Sequence, residues 1–207
     1  RRNIAAHYDL GNEFYRLWLD DSMTYSSALF ASGQESLERA QEAKYASVID
    51  RMGAKTGDHV LEIGCGWGGF AEYAAARRGL KVTGLTISKA QAEFARARIR
   101  KAGLEDRVEI ALRDYRDERG LYDGVASIEM FEAVGREYWP VYFQKVHDVL
   151  EAGGRAGLQI ITIQDDLFDE YDARTDFIQK YVFPGGCLPS EARLAPVLAQ
   201  TGLRKTG

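Results

Sequence analysis

Cysteine is scarce in this chain, with only Cys65 and Cys187 among 207 residues. A structural zinc site needs four ligands, and two thiols in unrelated contexts do not supply them, so no metal site is expected. A disulfide is not expected either, and both read as thiols in a reducing cytoplasm. Long apolar runs are missing, and none approaches the roughly 20 residues of a spanning helix. Positive charge is not in excess. The 27 Lys and Arg against 31 Asp and Glu leave a net charge of -4, which gives no electrostatic footprint for nucleic acid. There is no internal repeat, no low-complexity stretch, no initiator Met and no visible signal peptide. The chain opens on Arg1-Arg2 and stops at Thr206-Gly207, shortly after what reads as the start of a strand, as expected of a piece of a longer protein.

What is present is a 45% hydrophobic composition, enough for one α/β domain with a real core and a short extension. Residues 1–30 are an aromatic-rich lead containing Tyr8, Phe14, Tyr15, Trp18, Tyr25 and Phe30. Residues 36–51 read as an amphipathic helix, with Ser36 as N-cap and Gly53 as stop. The pattern then alternates. Strands are expected at 59–63, 81–85, 108–112, 122–128 and 155–163. Helices are expected at 70–78, 89–102 and 139–150, the last ended by Gly153-Gly154. Such alternation predicts a Rossmann-like, open, mostly parallel sheet with helices on both faces. Ligands then bind beyond the carboxyl ends of the strands. Residues 1–52 are expected to form a helical and aromatic segment capping the site, and 53–207 the core. Residues 164–190 break the alternation and read as a lid-like insertion or a plain surface excursion.

The loop after the first strand is Leu61-Glu62-Ile63-Gly64-Cys65-Gly66-Trp67-Gly68-Gly69. Gly64 and Gly66 allow close backbone approach to a ligand. Glu62 just before them would repel a pyrophosphate, but suits the cationic methionyl end of S-adenosylmethionine. After the second strand, where a dinucleotide enzyme places an acid for the ribose, the chain has Thr86, with Gln91 one turn into the helix. Ser88 reads mainly as an N-cap. After the third strand, Asp114 could accept from an adenine amino group and Tyr115 could stack on the ring. A solvated charged loop is the plainer alternative. After the fourth come Glu129 and Glu132, three apart and on one side of a turn. They are either reaction-side carboxylates or helix-start acids favoured by the dipole.

These residues resemble the cyclopropane-fatty-acyl-phospholipid synthase family, which includes the mycolic acid cyclopropane synthases. The resemblance rests on residues 7–15, on Met23-Thr24-Tyr25-Ser26-Ser27-Ala28, and on the glycine loop with Trp67. It continues through residues 84–88, Tyr115-Arg116-Asp117, Met130-Phe131-Glu132 and residues 183–190. It implies an S-adenosylmethionine-dependent methyltransferase that yields S-adenosylhomocysteine. The methyl acceptor would be a carbon–carbon double bond in the acyl chain of a membrane phospholipid. The implied cofactor contacts are Tyr25, Ser26, Gly64, Cys65, Gly66, Thr86, Ile87, Gln91, Tyr115, Arg116 and Ile128. Tyr15, Tyr25 and Phe131 would stabilise the carbocation left on the acyl chain.

The family's base is a bicarbonate held by a Cys, a Glu, a His, a Tyr and backbone amides. Here the Glu matches Glu132, the Cys position is Ser27, the His position is read as Ile161, and the usual Gly before Met130 is Glu129. An added carboxylate and a lost imidazole disfavour a bound anion. Glu129 is therefore a candidate base, and a methylene or methyl-branched product stands beside the ring. A small-molecule methyltransferase and a non-catalytic module are the other readings. Lipid as substrate implies a cytoplasmic protein in transient contact with the inner membrane face, where Leu167, Phe168, Phe177 and Val182 would either dip into the interface or pack on the core. A homo-oligomer is left open.

Overall fold

The computed structural model describes residues 11–207. The first part of the amino-terminal motif, His7-Tyr8-Asp9-Leu10, lies outside the described residues. Five strands form one sheet: β1 (His59–Ile63), β2 (Lys81–Thr86), β3 (Val108–Leu112), β4 (Tyr122–Ile128) and β5 (Leu150–Gln159). Their order is β3-β2-β1-β4-β5, and every pairing is parallel. The chain runs outward from β1 in both directions, so the space beyond the ends of β1 and β4 is the topological switch point where open α/β sheets bind ligands. Gly64 leaves β1 there, and Glu129 leaves β4.

Helices cover both faces. On one side lie α2 (Leu37–Met52), α3 (Gly69–Arg78) and α4 (Lys89–Lys101), following the short α1 (Asn12–Arg16). Tyr45, Val48, Ile49 and Met52 of α2, the alanines of α3, and Ala92, Ala95 and Ile99 of α4 pack there against Val60 and Val82. On the other side Tyr142, Phe143 and Val146 of α5 (Trp139–Asp148) pack on Leu61, Ile63, Leu85 and Val125. The two caps expected for α2 are both present. Ser36 Oγ accepts from the Arg39 amide at 3.3 Å, and Gly53 takes a left-handed φ of 69° that ends the helix.

The fifth strand spans Leu150–Gln159 rather than 155–163, which leaves Ile161 beyond its end, and the segments on either side of it also differ from the sequence expectation. The last core helix ends at Asp148 rather than running to Gly153-Gly154, because β5 begins at Leu150, paired with Tyr122. The glycine pair instead lies within β5, at a register irregularity where Gly153 has a φ of 84°. A bulge and a helix stop both ask for glycine, which is why the sequence alone misplaces it. In addition, residues 191–200 form α7 (Glu191–Gln200), whose Leu194, Val197 and Leu198 lie on the second core. Pro196 inside it hides the helical pattern. The strand start expected near residue 203 is not formed.

The insertion comprises a turn at Asp165–Leu167, α6 (Phe168–Asp172) and a π-helical turn at Ile178–Val182. Phe168 is fully buried, with the Arg136 and Arg193 guanidinium groups each 5.4 Å from its ring, so it belongs to the core. Leu167, Phe177 and Tyr181 face solvent, and Val182 is half-buried. The insertion is tied back by Cys187 N–H donating to the Glu132 carbonyl at 2.9 Å and Ile163 N–H to the Pro189 carbonyl at 2.9 Å.

The tightest point between α2 and the sheet is Gly157, where an added Cβ would lie 2.8 Å from both the Val48 carbonyl oxygen and Met52 Cγ. Gly157→Ala is expected to destabilise the chain by about 1–3 kcal/mol through overpacking, read as a lower midpoint in urea denaturation.

Candidate active site

Strand alternation puts Val60 and Glu62 on the same face of β1, towards α2 and α3. Glu62 is 3% exposed, and its Oε2 has no hydrogen-bond partner. Burial pushes its carboxyl up to about 8, with the Lys44 cation working in the opposite sense. An orphaned buried acceptor beside a glycine loop fits the ammonium of an amino-acid ligand. Gly64 and Gly66 have φ of 83° and 51°, values that favour glycine. A Cβ on Gly64 would strike Met130 Cγ at 2.6 Å, so the loop and the segment after β4 close on one another. The Gly64 and Cys65 amides both donate to the Leu85 carbonyl, at 3.0 and 2.8 Å, fixing the loop to the end of β2. The Cys65 thiol is buried, and burial holds it well above its ordinary pKa.

At the end of β2, Thr86 Oγ1 donates to Gln91 Oε1 at 2.8 Å and accepts from the Ser88 amide at 3.1 Å. Ser88 caps α4 as expected, its hydroxyl accepting from the Gln91 amide at 3.3 Å. Thr86, Ser88 and Gln91 are thus one buried unit, with Ile87 half-exposed at its centre. After β3, the Asp114 carboxylate is engaged by Arg116, whose Nε and Nη2 donate at 2.9 and 2.8 Å. Tyr115 packs edge-on to Tyr142 at 5.5 Å.

The reaction side is built at the end of β4. Ile128 packs on the first core, and the next residue, Glu129, adopts a φ of 48°. A left-handed conformation is uncommon for glutamate and costs about 1–2 kcal/mol. Its carboxylate is clamped. Glu129 Oε1 accepts from the Ser27 amide at 3.0 Å, from the Ser27 hydroxyl, and from Gln159 Nε2 at 2.8 Å. Gln159 Nε2 also reaches Ser27 Oγ at 3.0 Å. Glu132, one 3-10 turn on, accepts from the Ile161 amide through Oε1, while its Oε2 is buried without a partner. Burial, and then the nearby Glu129 charge, raise the Glu132 carboxyl above its ordinary pKa.

The structure brings Tyr25, Ser26, Ser27, Glu129 and Glu132 to one end of the sheet, but corrects three readings. Ile161 contributes its amide to Glu132, and its side chain is 47% exposed. The polar group facing Ser27 is Gln159, two residues earlier and the last residue of β5. Tyr15 is fully buried, its ring against Tyr25 at 5.4 Å and Trp67 at 4.9 Å. Phe131 is 1% exposed among Trp139, Tyr142 and Phe143. Both rings are packing groups rather than walls open to a substrate, whereas Tyr25 is half-buried. Sequence reasoning also missed Gln41 and Lys44, which look like the polar face of an amphipathic helix. Their spacing of three was the available signal, since it places both on one side of α2.

A profile of the mycolic acid cyclopropane synthetase family matches residues 1–206. The chain belongs to that family. It is 43% identical over 99% of its length to a tuberculostearic acid methyltransferase of Mycobacterium tuberculosis, covering 49% of that protein. It is 40% identical over 91% of its length to the Escherichia coli cyclopropane-fatty-acyl-phospholipid synthase, covering 47% of it. The chain therefore spans about half the length of the curated relatives it matches. A crystal structure of a mycolic acid cyclopropane synthase with SAH and CTAB superposes with a TM-score of 0.91 at 30% identity, covering all of this chain and 75% of the other. The fold is that of a class I S-adenosylmethionine-dependent methyltransferase, and S-adenosylmethionine is the family's cofactor.

The Glu62 carboxyl gives this site a pH signature. Folded, it holds its proton to about pH 8, whereas the unfolded group releases it near 4.5. The folded state binds more protons across that interval, so this group's contribution to stability is full below 4.5 and declines as pH rises towards 8. Glu62→Gln is expected to flatten that decline in the ligand-free protein, read as a smaller drop in Tm between pH 5 and 8 than in the parent.

Proposed function

We propose that the protein methylates a carbon–carbon double bond in the acyl chain of a membrane phospholipid and releases an open-chain, methylene or methyl-branched product, with Glu129 as the base. The observation that carries the reading is the left-handed Glu129, its carboxylate held by Ser27 and Gln159. Strained backbone at a candidate site is retained where the side chain has work to do there.

When bound, S-adenosylmethionine would supply an electrophilic methyl group, its S–CH3 bond breaking to leave S-adenosylhomocysteine. Glu62 would receive its ammonium, Thr86 and Gln91 would face its ribose, and Asp114 with Tyr115 its adenine. The acceptor's π pair forms the new carbon–carbon bond and leaves a positive charge on the neighbouring carbon. Tyr25, half-buried beside Glu129, offers a ring face to that charge. Glu129 then takes a proton, either from the methyl-bearing carbon to leave a methyl-branched alkene, or from the new methyl after a hydride shifts to the cationic carbon to leave a methylene, so that the acyl chain gains one CH2 in all. The Ser27 and Gln159 donors are already engaged by an internal carboxylate, which leaves an external bicarbonate with no role. The name of the 43% identical relative, a tuberculostearic acid methyltransferase, supports an acyl substrate. Access to lipid would bring the protein transiently to the cytoplasmic membrane face, with residues 1–52 capping the cofactor. Among the described residues no helix is long and apolar enough to cross a membrane.

Two measurements test this. Fatty acids from cells making the full-length protein, examined by mass spectrometry and proton NMR, should gain 14 Da per modified chain, the mass of one CH2, without cyclopropane ring protons. Unmodified acyl chains would refute the lipid reading, and ring protons the open-chain one. Glu129→Gln should lower kcat by about 100-fold or more, as expected for loss of a general base, while S-adenosylhomocysteine affinity stays within about threefold.

A further inference from the structure

Lys44 is 2% exposed, and an ammonium at such a place needs a reason. It lies on α2, one turn after Gln41. Lys44 Nζ donates to Ser26 Oγ at 2.5 Å and to Gln41 Oε1. Gln41 Nε2 donates to the Ser26 carbonyl at 2.8 Å. Two neighbours on one helical turn therefore hold both the side chain and the backbone of Ser26. The oxygens that Lys44 meets are neutral and use two of its three donors, and its Nζ also lies 4.9 Å from the centre of the Tyr45 ring, so among the described residues the ammonium has polar and aromatic neighbours but no carboxylate at ion-pair distance. Glu129 first, and Asp20 with it, favour the cation from beyond ion-pair distance, as Glu62 does where it is ionised. Burial outweighs them and lowers the ammonium to about 8, which leaves it protonated at neutral pH.

We propose that Lys44 is a positioning residue that makes the site select the carboxylate of the methionyl group, acting through the Ser26 hydroxyl. Because Ser26 Oγ accepts from the ammonium, its own proton points away from Lys44, as a donor strengthened by the charge behind it. Glu62, on the face of β1 that looks towards α2, offers the complementary orphaned oxygen. Together they match a zwitterion: Glu62 takes the ammonium, and Ser26 backed by Lys44 takes the carboxylate. Gln41 aims the lysine and fixes the Ser26 backbone. Lysine suits the task because it acts as a point charge, where arginine would offer a fork. The inference rests on S-adenosylmethionine as cofactor, and is independent of what accepts the methyl group.

Calorimetry on the full chain separates this role from mere support of the loop. The ligands are S-adenosylhomocysteine and its decarboxylated counterpart, which keeps the amine. The parent protein should prefer the carboxylate ligand by about 10- to 100-fold, the value of a hydrogen bond to a charged group. In Lys44→Met that preference should shrink to within about threefold, because S-adenosylhomocysteine weakens while the decarboxylated ligand holds. Ser26→Ala, which leaves α2 and its lysine intact, should show the same pattern and decides the matter if Lys44→Met does not fold. Parallel weakening of both ligands would mean that Lys44 only props the loop, and an unchanged preference would mean that it does not act on the carboxylate. Either result overturns the proposal.

Discussion

Three hydrogen bonds onto one carboxylate oxygen hold the open edge of this sheet together. Glu129 Oε1 accepts from the Ser27 amide, the Ser27 hydroxyl and the Gln159 carboxamide, so one atom joins the aromatic lead, the end of β4 and the end of β5. The Glu129 amide in turn donates to the Gln159 carbonyl at 2.9 Å. Glu129 must sit at a left-handed φ for this, and the next residue, Met130, then lands against Gly64, where only a glycine leaves room. The clamp on the reaction side and the glycine loop on the cofactor side are thus mutually dependent.

The two halves differ in their water. Glu62, Cys65, Thr86, Gln91 and Lys44 are buried, so their charges and dipoles act in a low dielectric and have to be matched by a ligand. Ser27 and Ile161 are exposed, and Glu129 is only partly covered. The buried half suits a polar ligand recognised group by group, and the open half is where the proposed acyl acceptor would enter. In the proposed reaction, the held Glu129 carboxylate removes the need to capture a dissociable anion first.

Much of the fold is legible in the sequence because parallel strands buried on both faces are short apolar runs, and β1, β3 and β4 fall at the expected residues. The glycine loop, Ser36, Gly53 and Ser88 are legible for a local reason, since each answers a backbone demand with a residue type. What escapes is set by tertiary context. Gly153-Gly154 is a bulge and not a stop, because Leu150 already pairs with Tyr122. Gln159 ends β5 and Ile161 lies two residues beyond it, so the backbone path after the strand decides which side chain meets Ser27. Tyr15 and Phe131 look like ligand-facing aromatics in the sequence, but each is buried in a cluster of other large side chains. Gln41 and Lys44 look like solvated helix positions until residues 20–27 fold over them.

If the carboxylate built into position 129 replaces an external base, turnover on unsaturated phospholipid vesicles in buffer scrubbed of carbon dioxide should equal turnover in the same buffer given bicarbonate. A severalfold stimulation by bicarbonate would contradict that reading, because the pocket would then be taking an outside anion in spite of Glu129.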